Sequence, residues 1–408
     1  MELTLRHVRL AEAPDALVDV GVQDGRIVAI AQNLAPGARD IDAEGRLLVP
    51  GFVETHIHLD KACILDRCQM HRGDLAEAID QVAQAKRAFS EEDVAARAAA
   101  TLRRAVLQGT TRMRTHVEVD PGIGLRGYHG VKRALAQYAW ALDAEICVFP
   151  QEGLLNNPGT EELMVAALRD GARVVGAAPY VDSDPHGQID RVFALAREYD
   201  VDIDMHLDFS SDAGALDADY VCRKADEYGW GGRVAIGHVT KLAFLDPAGL
   251  AATARRLADA GIAVTVLPAT DLYLMCRDHD HAVPRGVAPA HTLLAEGVNC
   301  SLSTNNVLNP FTPFGDASLL RMANLFANLA QIGRRAGMRD CLDMVTQRSA
   351  RLLNCADYGI AVGKPADFVL VDNPDPAMAV AEISPVLYGF KRGRPTFTRP
   401  CPTLHVPQ

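Results

Sequence analysis

The chain has no Cys-x-x-Cys pair, although nine cysteines are scattered over its 408 residues. An odd number without paired spacing argues against both a disulfide framework and a cysteine-ligated zinc. A basic excess is also missing: 41 Lys and Arg face 52 Asp and Glu, for a formal net charge of −11. Neither nucleic acid nor an anionic membrane is therefore an expected partner, since each calls for a basic face. No apolar run approaches the ~20 residues that span a bilayer. The opening Met1-Glu2-Leu3-Thr4-Leu5-Arg6-His7 carries no apolar leader segment, so the expected location is cytoplasmic. Phosphate-binding loops are absent too. Gly359 to Lys364 has one residue too few between its glycines, and Pro365 stands where Ser or Thr belongs.

What is present fits a soluble globular protein, with 49% hydrophobic and 23% charged residues. The length favours one large domain with a smaller one. Both ends read as β structure. Val18 to Val22 and Ile27 to Ile30 flank the turn signal Asp24-Gly25. Near the other end come Phe368 to Asp372, Val386 to Phe390, a turn at Arg392-Gly393, and Pro395 to Phe397. Residues 1–49 and 356–408 are thus expected to form one small β domain.

Residues 50–355 alternate short apolar strands with longer helical patterns, the signature of parallel βα units. Eight strands are expected: Leu47 to His58, Thr110 to Glu118, Glu145 to Gln151, Arg173 to Tyr180, Val201 to Asp208, Arg233 to His238, Ala263 to Pro268, and Cys300 to Asn305. Helical spacing marks Leu75 to Leu107 and Ile189 to Tyr199. Eight such units fit a closed (β/α)8 barrel of the TIM type, which puts its chemistry at the carboxyl ends of the strands. Five of the thirteen histidines fall at those ends: His56, His58, His116, His206 and His238. His56 and His58 are two apart, so one strand aims both to the same side. A third imidazole from His206 would complete a three-histidine site open to water.

The order of motifs resembles the amidohydrolase superfamily. Gly51-Phe52-Val53-Glu54-Thr55-His56-Ile57-His58-Leu59-Asp60 is similar to its opening motif, and Phe149-Pro150-Gln151-Glu152-Gly153 resembles the segment by which cytosine deaminases present a glutamine to the pyrimidine. Arg114 to Glu118, Val174 to Pro179, Gly237-His238, Asn305 to Gly315 and Tyr358 to Asp367 continue the series. The resemblance points to the cytosine deaminase and N-isopropylammelide amidohydrolase branch. It implies one divalent metal ion, zinc or iron, held by His56, His58 and His206 with Asn305 at the fourth ligand position. It also implies a proton-handling His238 and a substrate-holding Gln151. A small heterocyclic substrate is the expected partner, and a homo-oligomer is left open.

Two positions depart from that pattern. Asn305 stands where the family has a metal-binding aspartate, and Phe209 where cytosine deaminases have a proton-shuttling glutamate. An asparagine carbonyl can ligate weakly but cannot accept the proton of an attacking water. Asn306 likewise replaces an acidic substrate contact with a group that can donate. Asp208, Glu152 and Asp60 are replacement bases, or else pair with Lys61, Arg114 or backbone amides. Lys61 either contacts ligand or pairs with Asp60. Phe311 and Phe314 form a pocket wall or fill core. His279 and His281 mark a surface loop or a lid. The expected activity is hydrolysis of a non-peptide C–N bond in a small nitrogen heterocycle with altered specificity. The alternative is a metal-poor homologue that binds a ligand without turning it over.

Overall fold

The computed structural model describes residues 1–405. Its strands, in chain order, are β1 (Leu3–Leu10), β2 (Ala13–Gln23), β3 (Arg26–Ala31), β4 (Arg39–Asp42), β5 (Leu47–Pro50), β6 (Phe52–Ile57), β7 (Thr110–Glu118), β8 (Asp143–Phe149), β9 (Val174–Ala177), β10 (Asp202–Leu207), β11 (Val234–His238), β12 (Ile262–Val266), β13 (Cys300–Leu302), β14 (Phe368–Val371), β15 (Val386–Lys391) and β16 (Arg394–Thr398). Strands β6 to β13 form one parallel sheet in simple chain order, with helices between them, as the alternation predicts. All six residues of β6 and all four of β9 are buried, as expected for strands covered on both faces.

The seam between β6 and β13 is closed beyond the strand ends. Ile57 bridges Asn305; the Asn305 amide donates to the His56 carbonyl at 2.9 Å, and the His58 amide donates to the Asn305 carbonyl at 2.8 Å. Closure of the barrel thereby sets Asn305 beside His56 and His58.

The second sheet is built from both chain ends in the order β16-β15-β14-β5-β1-β2-β3, with β4 beside β1. Its core includes Leu5, Val20, Leu48, Phe368 and Phe390. The hairpin turns fall as expected, with left-handed backbone at Asp24-Gly25 and at Arg392-Gly393.

The expected strand Leu47 to His58 is in fact two strands in two sheets. Gly51 is the crossing point: its amide donates to Asp367 in the terminal segment, while that of Phe52 donates to Gly109 at the barrel. A Cβ at Gly51 would lie 2.1 Å from Cγ2 of Thr111, so only glycine lets the chain pass there. The expected helix Leu75 to Leu107 is also divided, into Leu75–Ala85 and Glu91–Leu107. Ser90 caps the second helix, its hydroxyl accepting from the Asp93 amide. Just before it, Lys86 turns inward to Asp120 at 2.6 Å. Among the described residues no helix is long and apolar enough to cross a membrane.

Candidate active site at the carboxyl ends of the barrel strands

Period-two alternation sends Glu54, His56 and His58 from β6 and the following turn, and Asp204 and His206 from β10, into the barrel interior. The Nε2 atoms of His56 and His58 each lie 3.1 Å from Nε2 of His206. All three rings are fully buried, and burial together with neighbouring positive groups pushes each well below the usual imidazole range. They are therefore neutral and offer lone pairs. Their Nδ1 atoms have no hydrogen-bond partner, and the buried Asn305 Oδ1 has none either. Hydrogen bonds among the three neutral imidazole nitrogens cannot satisfy all of them, since both contacts share Nε2 of His206, whereas one divalent cation among them satisfies all three. These residues fit the metal that the sequence implies.

Beneath them lies a second cluster. His116 stacks on His56 with ring centroids 3.7 Å apart, and its Nε2 is 3.4 Å from Asp204 Oδ1. The other Asp204 oxygen accepts from Arg114 at 2.9 Å, and Arg114 also pairs with Glu145. Burial raises Asp204, but His116 and Arg114 outweigh it and hold the carboxyl below its ordinary value. Glu54 is pushed up to about 7 by burial, against hydrogen bonds from Thr304, Ser303 and the His56 amide.

His238 lies beside the three histidines and lines the same cavity. Its Nδ1 is 2.6 Å from Oδ1 of Asp271, a residue of the short helix Pro268–Leu274 that follows β12. Burial pushes the Asp271 carboxyl up, against the pull of His238. Phe209 stacks on the His238 ring, with centroids 3.9 Å apart. It supports that imidazole and does not line the cavity among the described residues. Asp208, His238 and Asn305 all hold left-handed backbone at the strand ends, a conformation that costs energy and concentrates at functional sites.

The cavity is narrow and open to solvent, and it also touches Lys61, Gln151, Tyr180, Asn306 and Phe311. Lys61 is not the partner of Asp60 through its side chain: its ammonium donates to Glu118 at 3.3 Å and to Gln151 Oε1 at 3.2 Å. Asp60 instead accepts from the amides of Lys61 and Glu118. Glu152 pairs with Lys86. Asp208 stands apart from the cavity, with one oxygen accepting from the Asp217 amide and the other from that of Ala218. Both oxygens are taken up by the start of the helix Asp217–Tyr228, so the base expected from sequence is a helix anchor. Phe311 does form a wall, over which the Lys61 ammonium sits 5.1 Å from the ring centre, while Phe314 is exposed. The loop carrying His279 and His281 is exposed at the surface.

Asp271, Asp204 and Glu54 went unnoticed in the sequence. Asp204 and Glu54 had a signal, since each stands two residues before a candidate ligand histidine on the same strand face. Asp271 had none beyond its place after an expected strand.

A family model for the amidohydrolase family matches residues 39–136 and 81–397, and the chain belongs to that family. N-isopropylammelide isopropyl amidohydrolase of Pseudomonas sp. (strain ADP) is 27% identical over 403 residues, covering 96% of each chain. Pterin deaminase of Rhizobium rhizogenes is 30% identical over 365 residues, covering 86% of this chain and 81% of the relative. The crystal structure of 5-methylcytosine deaminase from Klebsiella pneumoniae liganded with 5-fluorocytosine superposes with a TM-score of 0.94 at 29% identity, covering 99% of both chains. The protein is a hydrolytic enzyme of the amidohydrolase type.

Proposed function

We propose that this enzyme hydrolyses a C–N bond at an sp² carbon of a small nitrogen heterocycle, by deamination or by opening a cyclic amide. The observation that carries the reading is the convergence of three neutral, partner-poor imidazoles on one point beside a His–Asp pair, at a cavity lined also by Gln151 and Asn306. The names of the relatives, which act on an ammelide, a pterin and a methylcytosine, agree with it. His56, His58 and His206 would hold one zinc or iron ion, with the Asn305 carbonyl as a weak fourth donor. Such an ion, when bound, supplies Lewis acidity that makes water a stronger acid.

The chain's own groups do the rest. Asp271 accepts the Nδ1 proton of His238, which fixes the tautomer and leaves Nε2 to take a proton from water and return it to the departing nitrogen. Phe209 holds the His238 ring in place by stacking. Gln151 and Asn306 orient the ring of the substrate, and Phe311 covers part of the cavity wall. The test is release of ammonia or amine from a panel of pyrimidines, triazines and pterins, by the wild type and by His238→Asn. The expected result is turnover of at least one ring and a loss of about 10²–10⁴ in the variant. Equal rates for the two proteins would remove His238 from the reaction.

A further inference from the structure

His56 differs from the other two candidate ligands in what lies behind its ring. The imidazole is stacked on His116, and a Cβ at Gly237 would stand 3.2 Å from its Nδ1 and Cε1. The ring therefore has little room to tilt. Its Nδ1 lies 3.9 Å from Oδ1 of Asp204. Among the described residues, neither His58 nor His206 has a carboxylate oxygen within 4.0 Å of a ring nitrogen.

Asp204 is built as a fixed acceptor. Arg114 donates to its Oδ2 at 2.9 Å and is itself held by Glu145 at 2.8 Å. One oxygen is thus taken. The other is buried without a partner, and so are His56 Nδ1 and both ring nitrogens of His116. A buried donor and a buried acceptor that face each other are costly until they pair. An approach of about 1 Å brings these two into hydrogen-bond range.

An imidazole that holds an ion through Nε2 carries its proton on Nδ1, and a group behind that nitrogen sets the direction of the ring. We propose that Asp204 is a positioning residue of the metal site, receiving the Nδ1–H of His56 while Arg114 fixes the carboxylate and His116 steadies the ring. This rests on the metal-dependent reading given above. It also supplies a charge that the site otherwise lacks. Asn305 brings an oxygen without charge, and Asp204 is the carboxylate within 4.0 Å of a ligand nitrogen. It acts through His56 and touches neither ion nor substrate.

The experiment reads metal affinity rather than turnover. Asp204→Asn keeps the shape of the side chain, but Arg114 claims its oxygen. The amide nitrogen is then turned towards His56 and sets N–H against N–H. Zinc dissociation constants are measured by competition with a chromophoric chelator, beside the melting temperature of each metal-free protein. The variant should bind zinc about 10–100-fold more weakly than wild type. His116→Phe keeps the stack and spares the acceptor, so its zinc constant should change much less. An aspartate that only supports the fold would lower the melting temperature and leave the zinc constant of the folded variant unchanged, which overturns the proposal. Equal weakening by His116→Phe also overturns it.

If Asp204→Asn does not fold, the wild type decides. In zinc-loaded protein with heavy nitrogen in its histidines, magnetic resonance should place one ligand Nδ1–H well downfield of the other two, as a carboxylate-bonded imidazole proton requires. Three equivalent signals overturn the proposal. Absence of zinc binding by the wild type would overturn the metal reading and this proposal with it. Tight zinc binding that is indifferent to Asp204→Asn overturns this proposal alone.

Discussion

At the scale of single residues, the geometry separates groups that hold from groups that move protons. Asp271 touches no cavity surface, yet its 2.6 Å contact with Nδ1 fixes which nitrogen of His238 carries the proton. Asp271→Asn keeps the shape but lets the amide donate to Nδ1, which favours the wrong tautomer. Steady-state kinetics should show kcat falling by about 10² or more with KM little changed; an unchanged kcat with a lowered melting temperature would assign Asp271 to folding only. Asn305 is the other exposed point of the account. It supplies oxygen without charge, so Asn305→Asp should tighten metal retention against a chelator. Cytosine should be a poor substrate of the unmodified enzyme, slower by orders of magnitude than a preferred ring, and Asn305→Asp with Phe209→Glu should raise its rate of ammonia release. Fast turnover of cytosine by the wild type would show that another group already supplies the acid. The histidines of this site were legible because residue type and strand spacing coincide. Asp271 was not, because a carboxylate on a short helix after a strand looks like any other polar residue until the fold brings it to His238.

At the scale of elements, strand ends and caps decide which side chains reach the cavity. Asp208 follows β10 directly and reads in sequence as a base, but the chain turns there through left-handed backbone and gives both oxygens to the helix Asp217–Tyr228. Asp208→Ala should therefore lower the melting temperature, by the equivalent of about 1–2 kcal/mol for a lost helix anchor, while kcat stays within about threefold. A large loss of kcat in a stably folded variant would return Asp208 to the chemistry. The division of Leu75 to Leu107 illustrates the same limit. Apolar spacing continues through Lys86 and Phe89, and only the tertiary pull of Asp120 and Glu152 on Lys86, with the Ser90 cap, breaks the helix there.

At the scale of the whole molecule, alternation of β and α segments was enough to give the barrel, and β character at both ends was enough to give the second sheet. The seam was not readable. It depends on Asn305 exchanging backbone hydrogen bonds with His56 and His58 from the far end of the chain, a long-range pairing with no local pattern. Gly51 was equally silent, since its role comes from the closeness of Thr111 after folding. The central claim joins that closure to chemistry: the seam assembles a metal-dependent site for hydrolysing a C–N bond in a small ring. The most direct test is to measure metal content and ammonia or amine release together, for the purified protein, after thorough chelation, and after restoring zinc or iron. The account predicts about one ion per chain, activity that vanishes with the ion and returns with it, and loss of both in His58→Ala. Full activity in chelated, metal-free protein would contradict it.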